Sequence, residues 1–96
     1  MEYLLTYDVD TTTPAGQRRL RRVAKTCEGY GIRVQKSVFE VTCTPAQLPV
    51  LKQKLTDIID RALDDIRLYR LTQGTLQTVE RLGRAELAPH HGDHIL

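Results

Sequence analysis

Ninety-six residues, 41% of them hydrophobic and 27% charged, are enough for one domain with a buried core and too few for a multidomain enzyme. Fourteen Lys and Arg against twelve Asp and Glu leave a net charge of +2, so total charge names no polyanionic partner and only its distribution can. Cys27 and Cys43 lack the C-x-x-C spacing of a zinc framework and are expected as reduced, buried thiols. The opening Met1-Glu2-Tyr3-Leu4-Leu5-Thr6 has no basic leader, and no apolar run approaches the roughly 20 residues that cross a bilayer, so a cytoplasmic protein is expected.

Tyr3 to Val9 is short, aromatic and apolar and stops at Asp10-Thr11-Thr12-Thr13-Pro14, which predicts a first, central strand. Thr13 then serves as an N-cap with Pro14 at the first helical position, and Leu20, Val23, Ala24 and Cys27 paint one apolar stripe before Gly29 and Gly31 end the helix. Ile32 to Cys43 is β-favouring and predicts two strands joined by a tight bend near Gln35–Ser37. A second helix is signalled by Thr44-Pro45-Ala46-Gln47, a capping box, followed by Leu48, Leu51, Leu55, Ile58, Ile59 and Ala62 at helical spacing. Asp65 to Leu71 alternates as a strand, Gln73-Gly74 breaks it, and Thr78 to Leu82 is expected as a fifth short strand.

The order β-α-β-β-α-β plus an extra C-terminal strand is an α+β, ferredoxin-like arrangement, with residues 1–83 as the domain and 84–96 as a tail. Two helices cover only one face of such a sheet. The apolar residues on its other face call for a partner, and a homodimer is the economical solution, with Thr78–Leu82 adding to the partner's sheet edge.

Asp8 stands at the carboxyl end of the first strand. It is either a solvated loop acid or a ligand for a hard cation, which needs two copies of Asp8 brought together by a two-fold axis, with Asp10 as an outer assistant. Arg18, Arg19, Arg21, Arg22 and Lys25 crowd the first helix with no acid between Gln17 and Thr26. Such a run is a solvated face or a phosphate-binding ridge, whose mutual repulsion a nucleic-acid backbone relieves; Arg33, Lys36, Arg67 and Arg70 extend the field. Tyr7 and Phe39 are core residues or platforms for a base, the first being the commoner role. His90, His91 and His94 form a short cluster in the polar tail, a poor frame for a fixed metal site. No Gly-rich phosphate loop, nucleophile elbow or H-E-x-x-H motif occurs.

The segments Leu-Leu-Thr-Tyr-Asp-Val (4–9), Arg-Leu-Arg-Arg-Val-Ala-Lys (19–25), Tyr-Gly-Ile-Arg-Val-Gln-Lys-Ser-Val-Phe-Glu-Val (30–41) and Ile-Arg-Leu-Tyr-Arg-Leu (66–71) together resemble the CRISPR-associated Cas2 family of small ferredoxin-like nucleases. The Thr-rich loop and Arg-rich helix look most like members that accompany subtype I-C systems. The resemblance implies a homodimeric endonuclease of spacer acquisition and antiviral defence. It would cut single-stranded RNA or double-stranded DNA with Mg²⁺, or Mn²⁺ as the alternative ion, held by Asp8 of both chains. Tyr7, Arg22, Arg33 and Phe39 match the family's site residues, and Ser37 its S-V-F segment. It also implies an alternative, a non-catalytic scaffold that holds DNA on the basic helices while a CRISPR integrase does the chemistry. Relatives that carry extra acids after the strand-end Asp have their counterpart here in Thr11, Thr12 and Thr13.

Overall fold

Tyr3, Leu5 and Tyr7 are buried along β1 (Glu2–Asp8) while Leu4, Thr6 and Asp8 are more open, and this alternation separates the two faces of the sheet. The structure is a computed structural model that describes residues 1–83; the tail expected at 84–96, with its three histidines, lies outside the described residues. After β1 come α1 (Pro14–Glu28), β2 (Gly31–Gln35), β3 (Val38–Thr42), α2 (Gln47–Ile58) and β4 (Asp65–Leu71). The strands form one sheet in the order β2-β3-β1-β4, every neighbouring pair antiparallel, so β1 is central as expected and the order is ferredoxin-like. Both helices lie on the face of Tyr3, Leu5 and Tyr7, where Val23 and Cys27 of α1, Leu51 and Leu55 of α2, and Phe39 and Val41 of β3 complete the core. Cys27 and Cys43 are free and buried, and burial pushes the Cys27 thiol up to about 11, which makes it a packing group rather than a nucleophile.

The caps follow the sequence. Thr13 Oγ1 accepts the Gly16 N–H at 3.1 Å, and Pro14 fills the first helical position without losing a bond. At the second helix Gln47 N donates to Thr44 Oγ1 at 3.2 Å while Thr44 N donates to Gln47 Oε1 at 2.9 Å, a reciprocal capping box. Gly16 has no room for a side chain: a Cβ there would meet the carbonyl oxygen of Asp10. Alanine in a helix normally gains about 1 kcal/mol over glycine. Here overpacking against a backbone atom costs about 1–3 kcal/mol, so Gly16→Ala is expected to lower the urea midpoint rather than raise it.

One expectation is corrected. The second helix stops at Ile58, short of Ala62, because Asp60 Oδ1 takes the Ala62 N–H at 2.9 Å and Asp64 Oδ2 takes the Asp60 N–H at 2.9 Å, so side chains divert the backbone donors that another helical turn requires. Thr78–Leu82, expected to add to a partner's sheet edge, pairs with no strand of its own chain's sheet. Gly74, with φ of 94°, turns the chain, and Thr75–Thr78 forms a 3-10 turn. Glu2 holds this turn. Its side chain is on the open face with Leu4 and Thr6, yet it is buried, because its carboxylate accepts Gly74 N at 2.8 Å and Leu76 N at 2.9 Å and folds the chain back across the sheet end. The rest of that face, with Ile32 and Tyr69 exposed, stays uncovered in a single chain.

Candidate active site

Asp8 is the last residue of the central strand and is exposed. Its register partner on β4 is Asp65, so two carboxylates stand directly opposite each other on the open face, and Asp65 is tied to Arg67 Nε at 3.0 Å. Sequence reasoning misses Asp65, because its position depends on the β1–β4 register, which no local pattern reveals.

Tyr7, Arg33 and Phe39 are brought together, but on the helix-covered face. Arg33 Nη2 donates to Tyr7 Oη at 3.0 Å, Tyr7 Oη donates to the Lys36 carbonyl at 3.1 Å, and the Arg33 guanidinium lies 5.3 Å from the centroid of the Phe39 ring. The Tyr7 and Phe39 rings are 6.1 Å apart and tilted by 30°. The hydrogen bond to Tyr7 leads the effects that hold the Arg33 pKa above its ordinary value. Tyr7 is 5% exposed and Phe39 0%. Both expected catalytic aromatics are therefore core residues in this arrangement. Their work is to fix Arg33 and the turn at Lys36–Ser37, whose Ser37 carbonyl also takes the Tyr7 N–H at 3.1 Å.

The loop after Asp8 is held from behind. Asp64, with a fully buried side chain, accepts Asp10 N at 3.0 Å, Asp60 N at 2.9 Å and Arg19 Nε at 2.8 Å, while Arg19 Nη2 reaches the Asp10 carbonyl at 3.5 Å. Burial raises the Asp64 pKa, but the Arg19 guanidinium and the two backbone donors outweigh it and leave the carboxyl below its usual range. The Asp10 carboxylate turns to Thr12, taking its N–H at 2.9 Å and its hydroxyl at 2.7 Å; the hydroxyl bond is the main reason its pKa is lowered. Asp10 is thus engaged in a local turn rather than turned toward Asp8.

Arg19 leaves the basic ridge. Its side chain is 16% exposed and paired, since it shares the buried flank of α1 with Gly16 and Val23. The sequence carries the signal: Arg19 is four residues before Val23, inside the apolar stripe, where a cation requires a carboxylate. Arg18, Arg21, Arg22 and Lys25 remain exposed and enter no ion pair among the described residues. Arg22 belongs to this ridge on α1, on the far side of the sheet from Asp8.

No group of three or more His, Cys, Asp or Glu side chains suited to a metal occurs among the described residues, and no helix among them is long and apolar enough to cross a membrane. Mg²⁺ commonly uses one or two protein carboxylates and keeps several waters, so the hard oxygen donors of Asp8, with Asp65 beside it, fit such an ion when a second chain adds its own.

Known proteins share this fold. The family described as CRISPR associated protein Cas2 matches residues 1–79. A CRISPR-associated endoribonuclease Cas2 of Rhodospirillum rubrum is 50% identical over 93 residues, 97% of this chain and 98% of the relative. Among solved structures, Streptococcus pyogenes Cas2 is 54% identical with a TM-score of 0.77, covering 86% of this chain and all of that one. A chain of a partial Cas6-RT-Cas1–Cas2 complex is 28% identical with a TM-score of 0.65, covering 99% of this chain and 98% of that one. The antiparallel four-stranded sheet with two helices on one face, the strand-end aspartate and these matches together place the chain in the CRISPR-associated protein Cas2 family.

Proposed function

We propose that this chain acts in the cytoplasm as a homodimeric endonuclease of CRISPR spacer acquisition, hydrolysing phosphodiester bonds of single-stranded RNA or duplex DNA with Mg²⁺ at Asp8. The observation that carries the reading is the placement of Asp8: exposed, at the end of the most supported strand, and on the face that one chain leaves uncovered. Docking of two open faces brings two Asp8 carboxylates to one axis. A relative 50% identical bears the name endoribonuclease, in keeping with cleavage of RNA. When bound, Mg²⁺ supplies Lewis-acid polarisation of a phosphate and a water of lowered pKa. The protein supplies rigid placement: β3 and β4 flank the strand that ends at Asp8, and Asp64 and Arg19 clamp the backbone at Asp10 just beyond it.

The test compares wild type with Asp8→Asn, which keeps the shape and removes the charge. Cleavage of labelled RNA and duplex DNA in Mg²⁺ is expected to fall at least about 100-fold, with the melting temperature within a few degrees of wild type. Equal cleavage by the two proteins would overturn the reading.

A second reading is favoured by a separate observation, the unpaired Arg18, Arg21, Arg22 and Lys25 on α1. In it the protein is a scaffold that holds DNA for a CRISPR integrase, in line with the likeness to a chain in a Cas1–Cas2 assembly. Asp8→Asn then leaves spacer integration intact.

A further inference from the structure

Asp8 needs a cation nearby to bind the phosphate it is to act on, and the alternation of the strands limits which one. Residues in register with Leu4, Thr6 and Asp8 share their face: Glu40 and Val38 on β3, Tyr69, Arg67 and Asp65 on β4, and Ile32 beyond Glu40 on β2. Arg33 is paired with Phe39, and Arg70 with Tyr3, so both belong to the helix-covered side. Among the described strand residues Arg67 is therefore the one arginine on the face of Asp8. It is opposite Thr6, one diagonal step from Asp8, a spacing of roughly 7–8 Å that a guanidinium easily spans.

Arg67 is also poised. Its Nε is held by Asp65 Oδ2 at 3.0 Å and its Nη1 donates to Tyr69 Oη at 3.3 Å, while Nη2 has no protein acceptor among the described residues. The side chains of Arg67 and Asp65 are 64% and 61% exposed, so the ion pair is worth little as a stabilising contact, yet it aims the fork along the open face. A guanidinium with a free, preoriented end is suited to a phosphate oxygen.

We propose that Arg67, oriented by Asp65 and Tyr69, contacts the phosphate placed at Asp8, in the role that family likeness assigns to Arg22 or Arg33. This rests on the nuclease reading above and specifies the residue that binds its substrate. Arg22 and Arg33 are exposed on the opposite side of the sheet, Arg22 on the ridge of α1 and Arg33 bound to Tyr7 and set over Phe39.

The experiment uses the full chain as wild type, Arg67→Ala, Arg67→Lys and Asp8→Asn, with a 5′-labelled single-stranded RNA. Arg67→Ala is expected to lower kcat/KM about 10- to 100-fold, with Arg67→Lys recovering part because a point charge replaces a fork. In EDTA, where nothing is cleaved, fluorescence anisotropy with Arg67→Ala is expected to show weaker RNA binding and a log Kd against log salt slope smaller by about 0.7 for each phosphate no longer neutralised. The proposal is overturned if kcat/KM and metal-free binding both stay within twofold of wild type. It is overturned equally if Arg67→Ala changes the sedimentation coefficient of the wild-type assembly, since Arg67 then builds an interface. Should Asp8→Asn cleave like wild type, the nuclease reading falls, while the binding measurement in EDTA still judges Arg67 by itself.

Discussion

Asp64→Ala is expected to destabilise the folded chain by about 3 kcal/mol, the lower end of the cost of breaking a buried ion pair, read as a fall in the urea midpoint at an unchanged slope. The carboxylate satisfies Arg19, Asp10 N and Asp60 N at once, and its side chain has no exposure, so its loss strands two backbone donors and a cation together. The Arg19 guanidinium retains some access to water at 16% exposure, which keeps the cost from the top of the range. Because the same carboxylate pins the loop after Asp8, the variant is also expected to lose cleavage activity at temperatures where it is still folded.

The pH dependence has a definite sign. The carboxyls of Asp64, Glu2 and Asp10 all sit below their ordinary values in the folded chain. In Asp64 the Arg19 guanidinium and backbone donors outweigh burial; in Glu2 the leading cause is the Leu76 N–H, and in Asp10 the Thr12 hydroxyl. A group with a depressed folded pKa contributes stability that is fully present above its unfolded pKa, about 4 for these side chains, and is lost as pH falls through the folded value. Melting temperature is therefore expected to be flat from about pH 7 to pH 5 and to drop below about pH 4. Asp64→Asn, already deprived of its share, is expected to show a shallower acid limb than wild type. A parallel limb would mean that Asp64 is not among the groups responsible.

Most of the fold is legible in the sequence because it is written in local periods and caps. The apolar stripe through Leu20, Val23 and Cys27, the Thr13-Pro14 start and the Thr44–Gln47 box each act within a few residues. The illegible parts depend on pairs far apart in the chain. Glu2, at the other end of the chain, captures Gly74 and Leu76 and so fixes the turn that follows β4, a contact no local pattern announces. Family likeness assigns the aromatics to the site's chemistry, whereas alternation along β1 sends Tyr7 into the core and leaves Asp8 facing the other way. Asp65 and Arg67 come to the face of Asp8 only through the β1–β4 register. Arg19 is hard to place for a different reason: a run of arginines hides the one that shares a flank with Val23.

The burial of Arg19 changes the experiment that separates catalyst from scaffold. Replacing Arg19 in a test of DNA binding would damage the fold through Asp64, and a fall in binding would mean nothing. The triple variant Arg18→Ala/Arg21→Ala/Arg22→Ala removes only cations of α1 that enter no ion pair among the described residues, and it is expected to keep the wild-type melting temperature. Neighbouring like charges repel on a helix, so removing them does not weaken it. Its affinity for a short DNA duplex at 100–150 mM salt is expected to fall about 100-fold, and the slope of log Kd against log salt to shrink by about 0.9 for each phosphate no longer neutralised. Asp8→Asn is expected to leave that slope unchanged, because Asp8 is on the opposite face of the sheet and carries the wrong sign to bind phosphate without an ion. If the triple variant cleaves a short RNA at the wild-type rate yet fails to support integration, backbone holding and bond cleavage belong to different faces of one molecule. If both activities vanish together while Asp8→Asn loses neither, the basic helix is the functional surface and the strand-end carboxylate is an ordinary solvated acid.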